Sequence, residues 1–432
     1  MNARLHMMSR QSLSLVAMVS ILGLSACERP ATGPHHPIDQ FDYPVSVTAD
    51  PSGELVWVTS GNFDLAWRGG AILAIDVKDH SFVTAETEDG AVPVAAELGS
   101  FPGPMEILER DGRAVAGYVL SRTDAALYQV QLSGEPNAPL VTCPGGERAE
   151  SGLMSCPAEA ALDDVAYTDD NDEAATLDLG TDPYGALVVN SDASDSALLL
   201  TGAMVEGTVA MFELDAEGAP EALASLDITG GLLDFASNPL TGRIYASHKF
   251  SNAISVLALA PQDPQDLTAR VQLEKLGNIP LPSNLLSSDH ARGLEVSPDG
   301  RRLYAAYRAP SSLVVIDVSD QASASPDERV LAKVAVHSRP SDVAVAPASH
   351  GLPELVYVSC YLGDRVDVVD PALGLVVDTI AVGDGPSGMA FVQNDELGIR
   401  RLYVANFHGQ SMGVIELDPG SSTFHNQIAE VR

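Results

Sequence analysis

Beyond residue 42 the chain alternates short apolar runs with clusters of Asp, Pro, Asn and Gly. No helical period of useful length appears after residue 27. The clusters are DPSGE at 50, ERDGR at 109, SDASDS at 191, NPLTGR at 238, SPDGRR at 297, APASHGLPE at 346 and NDELGIR at 394. These residue types preset or tolerate the backbone angles of tight turns. The apolar runs that follow at once read as second strands: LVWVTS, VAGYVLS, LLLTG, RIYASH, RLYAAY, LVYVSC and RLYVAN. Third strands, many closing on Asp, are AILAIDV, ALYQVQL, VAMFELD, AISVLAL, LVVIDV, RVDVVD and MGVIEL. First strands begin near Pro44, Pro104, Pro183, Gly231, Ala291, Pro340 and Pro386. Their spacing is roughly 46 to 50 residues, stretched to about 60 to 80 in copies 1, 2 and 4. Fourth strands are clearest in LVVDTIAVGDGPSG (375–388) and ATLDLGTDPYG (175–185), and NQIAEV (426–431) supplies one for the last copy.

The repeat predicts an all-β fold, a seven-bladed β-propeller of four-stranded antiparallel blades over residues 43–432. Each blade buries its faces against its neighbours, and closing the ring protects the strand edges. The fragments RLYVANFHGQSMGVIELD and LVYVSCYLGDRVDVVDPALGLVVDTIAVGDGPSGMAFV resemble YVTN-type propeller repeats. That resemblance implies a propeller similar to periplasmic and surface YVTN proteins, and it implies little about chemistry because the fold hosts binders and enzymes alike.

Residues 1–26 read as a signal peptide. Arg4 and Arg10 precede an apolar run from Leu13 to Leu24, and the stretch Leu24-Ser25-Ala26-Cys27 follows. The stretch resembles the lipobox of bacterial lipoproteins, which implies lipidation of Cys27 and a place in the cell envelope, on the periplasmic face or at the outer membrane. Residues 27–42 are expected to be the lipidated cysteine and a flexible, Pro-containing tether.

Charge narrows the partners. The chain of 432 residues carries 24 basic and 59 acidic residues, a formal net charge of −35. Nucleic acid requires a basic footprint and is excluded. Membrane contact is expected through the lipid on Cys27 alone, because a basic patch for anionic lipid is not evident. Of four cysteines, Cys143 and Cys156 flank a loop in an oxidising compartment and are expected to pair, leaving Cys360 as a buried thiol.

In a propeller the loops joining strands two and three share a face with the bridges between blades and surround the channel mouth. This face is expected to collect Trp67, His248, Arg308 and His408, with His290 and Arg292 entering from the bridge before blade 5. Arg292 offers a fixed fork of donors for a carboxylate or phosphate, and His290 a second donor or a proton carrier. Three loop histidines raise a metal site, but no ligand spacing demands one. The acidic stretch at 163–182 lacks the order of a calcium loop and reads as a solvated insertion between strands three and four of blade 2. Catalytic signatures are missing: neither Gly-x-Ser-x-Gly nor a Gly-rich phosphate loop after a strand occurs. The expectation is a monomeric, non-enzymatic module without cofactor that binds an envelope protein or a small anionic ligand at its mouth. A propeller-lactonase-like hydrolase is the alternative, and a metal-dependent redox protein a weaker one.

Overall fold

The computed structural model describes residues 33–168, 174–190, 197–263, 266–281, 291–319, 329–349 and 351–432. Residues 1–26, expected to be a signal peptide, Cys27 and His290 lie outside these. Seven antiparallel sheets follow one another along the chain. Their innermost strands are Pro44–Ala49, Pro102–Arg110, Pro183–Asn190, Leu232–Ser237, Ala291–Val296, Pro340–Ala346 and Pro386–Asn394. Each inner strand contacts the inner strand of the next blade, and the last contacts the first. Blade 7 completes its sheet with Gln427–Val431, so the ring closes without a strand from the N-terminus.

The recurring aromatic of the second strand explains the packing between blades. Trp57, Tyr118, Tyr245, Tyr304, Tyr357 and Tyr403 are all fully buried. A buried phenol needs a partner, and the next blade supplies it. Tyr118 donates to the Gly218 carbonyl and Tyr304 to Glu354. Tyr357 lies 3.1 Å from His425 Nε2, and Tyr403 donates to the Val77 carbonyl at 3.3 Å. The Asp that ends many third strands caps the turn that follows. Asp370 accepts the N–H groups of Ala372 and Leu373 at 2.9 Å each, and Asp317 that of Ser319 at 3.2 Å.

Proline opens five of the seven inner strands, where a missing N–H costs no ladder bond. Just inside, every inner strand slips register against its neighbour. Such bulges bend a strand and re-aim its side chains. The blades also approach closely here: a Cβ on Gly388 would meet Ser46 Cα at 2.6 Å across the closing seam. Ser387 Oγ donates to the Val45 carbonyl at the same seam, at 2.9 Å.

Three expectations are corrected. The fourth strand of blade 2 is Ala138–Thr142, not 175–185. It contains Pro139, which an outer edge strand tolerates. Residues 164–168 and 174–178 instead form a separate hairpin, so the acidic insertion lies between blades 2 and 3. Within that connection Met154–Ser155 pairs in parallel with the outer strand of blade 1, and Leu162 bridges to Leu127 of blade 2. The insertion thus covers outer blade edges. The tether is also docked, not flexible, from Gly33 onward. His36 is buried, with Nε2 2.9 Å from Ser60 Oγ and its backbone N–H donating to Glu97 at 2.7 Å. Ile38 and Phe41 join the core shared by blades 1 and 7.

Cys143 and Cys156 form a disulfide with Cα atoms 5.8 Å apart, and Cys360 is a free buried thiol. Burial, and then the neighbouring Asp367 carboxylate, push the Cys360 thiol up, so it is inert.

Candidate functional site: the central cavity

The inner strands enclose a cavity of about 820 Å³ on the ring axis. Two positions of the repeat build its mouth. One is the residue just after the second strand residue that pairs with the start of the inner strand. In blades 2, 4, 5, 6 and 7 this is Arg122, Lys249, Arg308, Tyr361 and Phe407, and all five line the cavity. The other is the second residue of the inner strand, which contributes Tyr184 and Arg292. Arg339, at a positive φ just before blade 6, adds a fifth cation. Five of the 24 basic residues of a strongly acidic chain therefore meet in one cavity.

Several of these cations are held in place. Arg122 forms a two-pronged pair with Asp182, Nη2 reaching Oδ2 at 3.0 Å. Its guanidinium lies 5.9 Å from the Tyr184 ring centre. Arg308 donates to the Pro340 carbonyl at 3.0 Å and to Ser341 Oγ at 2.6 Å, and sits 5.9 Å from the Tyr361 ring centre. Beside them, blades 1 and 7 present an aromatic wall. Phe63 packs on Phe101 at 4.6 Å between centroids and edge-on to Phe407 at 4.9 Å, and Phe407 packs on Tyr43 at 5.2 Å.

Deeper in the channel stand four carboxyls, Glu106, Asp234, Glu295 and Asp342. Three act as staples between successive blades. Glu106 accepts the Val188 N–H at 3.1 Å, Asp234 that of Leu294 at 2.7 Å, and Asp342 that of Met389 at 2.7 Å. Among the described residues no donor bonds Glu295. Burial raises all four. Glu106 is pushed up to about 7, opposed by the Val188 N–H. Asp342 is pushed up to about 7, opposed by the N–H groups of Met389 and Val343. Asp234 lies well above the usual carboxylate range, raised by burial and then by Asp342. Glu295 is pushed up to about 8 by burial, then by Asp342 and Glu106. By area Glu295 is exposed, yet that area faces the narrow channel with protein on every side, so desolvation still dominates. The cavity thus sets five cations against carboxyls pushed toward neutrality.

The sequence-based site residues separate. Arg292 and Arg308 line the cavity. His408 stands exposed on the rim, its Nε2 2.9 Å from the Tyr361 hydroxyl. Trp67 is turned away. Its backbone is clasped by the Asn62 side chain at 3.0 Å, and its ring lies 6.2 Å from that of His36. His248 is fully buried within blade 4, with Nε2 2.8 Å from Ser255 Oγ. Burial, and then Lys275, pull it down to about 4, so it is neutral and does not reach the mouth. It occupies the repeat position before the lumen-facing one, which the strand pleat turns inward. Among the described residues no group of His, Cys, Asp or Glu could hold a metal ion. Arg122, Arg339 and the four carboxyls escaped sequence reasoning. Arg122 was legible, since it matches Arg308 in the repeat.

No family model and no curated protein sequence matches the chain. Solved structures do. A functionally unknown protein from Desulfotomaculum acetoxidans superimposes with a TM-score of 0.54 at 14% identity, over 84% of this chain and 92% of that one. Kuenenia stuttgartiensis hydrazine synthase gives 0.55 at 14%, over 90% and 98%. The periplasmic gluconolactonase of Pseudomonas aeruginosa gives 0.53 at 18%, over 80% and 86%. At these identities the likeness is one of fold alone.

Proposed function

We propose that this chain is a lipid-anchored envelope protein that binds a small organic anion in the central cavity of its propeller. The ligand carries a carboxylate or phosphate and an apolar or ring face. The observation that carries this reading is the meeting of Arg122, Lys249, Arg292, Arg308 and Arg339 in one cavity with the Phe63–Phe407 wall, in a chain of net charge −35. A guanidinium matches the planar geometry of a carboxylate with two parallel hydrogen bonds. Against so negative a surface, this cavity is where an anion is not repelled. The lipid anchor rests on Leu24-Ser25-Ala26-Cys27. Among the described residues no helix is long and apolar enough to cross a membrane. The reading is tested by thermal-shift screening of organic anions against wild type and Arg292→Ala. A ligand-dependent rise in melting temperature in wild type only supports it, and no shift with any anion sinks it. Cys27→Ala should release the chain from membranes, and retention would remove the anchor.

A second reading, hydrolysis of a cyclic ester, is favoured by one observation. Glu295 has no bonded donor and is held near neutrality in the same cavity, a state suited to general acid–base work. It takes the place that sequence reasoning gave to His290. The fold is shared with lactonases. Turnover of a lactone panel that Glu295→Gln abolishes would establish it, and a flat panel would leave binding alone.

A further inference from the structure

The loops that join strands two and three carry more than the cavity mouth. Val205, Phe250 and Leu362 are 57%, 56% and 59% exposed, and Leu65 is 41% exposed. These are tips of the same loop in blades 3, 4, 6 and 1, so they project from one face at four places around the ring. Cations share two of these loops, while Glu206 follows Val205. Lys249 Nζ lies 5.4 Å from the Phe250 ring centre, and Arg68 follows Leu65 in the same loop. The turns of the opposite face mix acids and bases: Asp79, Glu88, Asp111, Glu217, Glu396 and Asp418 stand there with Lys78, Arg110, Arg113, Arg301 and Arg302. Two apolar tips, Leu240 and Leu373, project on that side.

The N-terminal segment leaves the propeller on the mouth face. Arg68 N–H donates to the Pro34 carbonyl at 3.0 Å, and Arg68 Nε to the Gly33 carbonyl at 2.9 Å. From Gly33 to Cys27 a fully extended chain spans at most about 20 Å. An inner strand of six residues is itself about 20 Å long before its turns are added. An anchor at Cys27 therefore holds the mouth face within reach of the bilayer and leaves the opposite face out of reach.

We propose that the propeller lies mouth-down on the membrane, with Leu65, Val205, Phe250 and Leu362 seated in the lipid interface and the neighbouring cations against lipid phosphates. This rests on the anchored-binder reading and adds to it that the cavity opens toward the membrane, so its ligand arrives from the lipid surface. Lipidation alone had been expected to make the membrane contact. The fold adds to that by setting four exposed apolar tips on the face from which the tether leaves, side chains of the kind by which surfaces enter the headgroup region.

The test uses the full lipidated chain in phosphatidylethanolamine–phosphatidylglycerol vesicles. A polarity-sensitive fluorophore is placed on Val205→Cys, Phe250→Cys or Leu362→Cys, and on Leu240→Cys or Leu373→Cys for the opposite face. Cys360 is buried and the other two described cysteines are bonded, so the label goes to the introduced thiol. Quenching by a lipid-borne quencher several-fold stronger at 205, 250 and 362 than at 240 and 373 is the expected result. Equal quenching on the two faces overturns the orientation while leaving the anchor intact. Labels shielded in native envelope membranes but solvated in pure lipid overturn it in favour of a protein occupant. Wild-type chain that does not float with vesicles and carries no lipid mass removes the anchor itself, and the orientation with it.

Discussion

Glu106→Gln should stabilise the propeller, and only at higher pH. Glu106 stands in the channel and accepts the Val188 N–H of the next blade, and burial raises it from 4.5 to about 7. An acid whose folded pKa lies above its unfolded value costs no stability below the unfolded pKa, because both states are protonated there. The cost grows as pH rises from about 4.5 and is complete above the folded pKa near 7. At about 1.4 kcal/mol per unit, the shift sets an upper bound of about 3 kcal/mol at pH 8, reduced by screening from channel water. Glutamine keeps a carbonyl oxygen for the Val188 N–H and cannot ionise. The variant should lie within about 1 kcal/mol of wild type at pH 5 and exceed it at pH 8 by up to about 3 kcal/mol, a few degrees in melting temperature for a chain of this size. Parallel melts from pH 5 to 8.5 at fixed ionic strength read this directly. A variant offset equally at both ends of the range, or less stable than wild type at pH 8, would refute the argument that the channel carboxyls are held near neutrality.

Other substitutions probe the frame around the cavity. Tyr403→Phe loses a buried hydrogen bond to the Val77 carbonyl and should cost about 1 kcal/mol, whereas Tyr403→Ala leaves a cavity between blades 7 and 1 and should cost about 3–5 kcal/mol, both read by urea melts. Replacing Cys143 and Cys156 by serine opens a loop with a sequence separation of 13 and should cost up to about 3 kcal/mol. Protease cutting should then concentrate within residues 143–178, with the ring left intact. His36→Ala removes the bond to Ser60 from the segment docked on blade 1, and limited proteolysis should begin to cut between residues 33 and 42, where wild type resists.

The ring was legible because its evidence is local. Turn chemistry before each second strand, a buried aromatic such as Tyr304 or Tyr403 within it, and an Asp such as Asp370 after the third all act over a few residues. The outer strands were less legible. Ala138–Thr142 is half-buried and carries Pro139, while 174–178 alternates more convincingly yet packs as a hairpin outside the blade. The site divides in the same way. Arg308 and Arg292 could be placed from repeat position. Which residue faces the lumen, however, depends on the bulge that resets each inner strand, and no sequence parity reveals it. That reset brings Glu106, Asp234, Glu295 and Asp342 into one channel. Parity also explains His248, one position before the lumen-facing Lys249 and therefore buried. Likewise, the docking of residues 33–42 depends on Glu97 and Ser60, which are distant in the chain.

The claim that the cavity binds an organic anion is tested most directly by titration calorimetry of wild type, Arg292→Ala and Arg339→Ala. The probes are an aromatic carboxylate, a sugar acid, and the neutral amide of each. The account predicts saturable one-to-one binding of at least one carboxylate by wild type and none of its amide. Either arginine variant should bind it at least tenfold more weakly, as the loss of a charge-assisted hydrogen bond of about 1.5–3 kcal/mol requires. Amides binding as well as acids, or affinity unchanged in both variants, would contradict it.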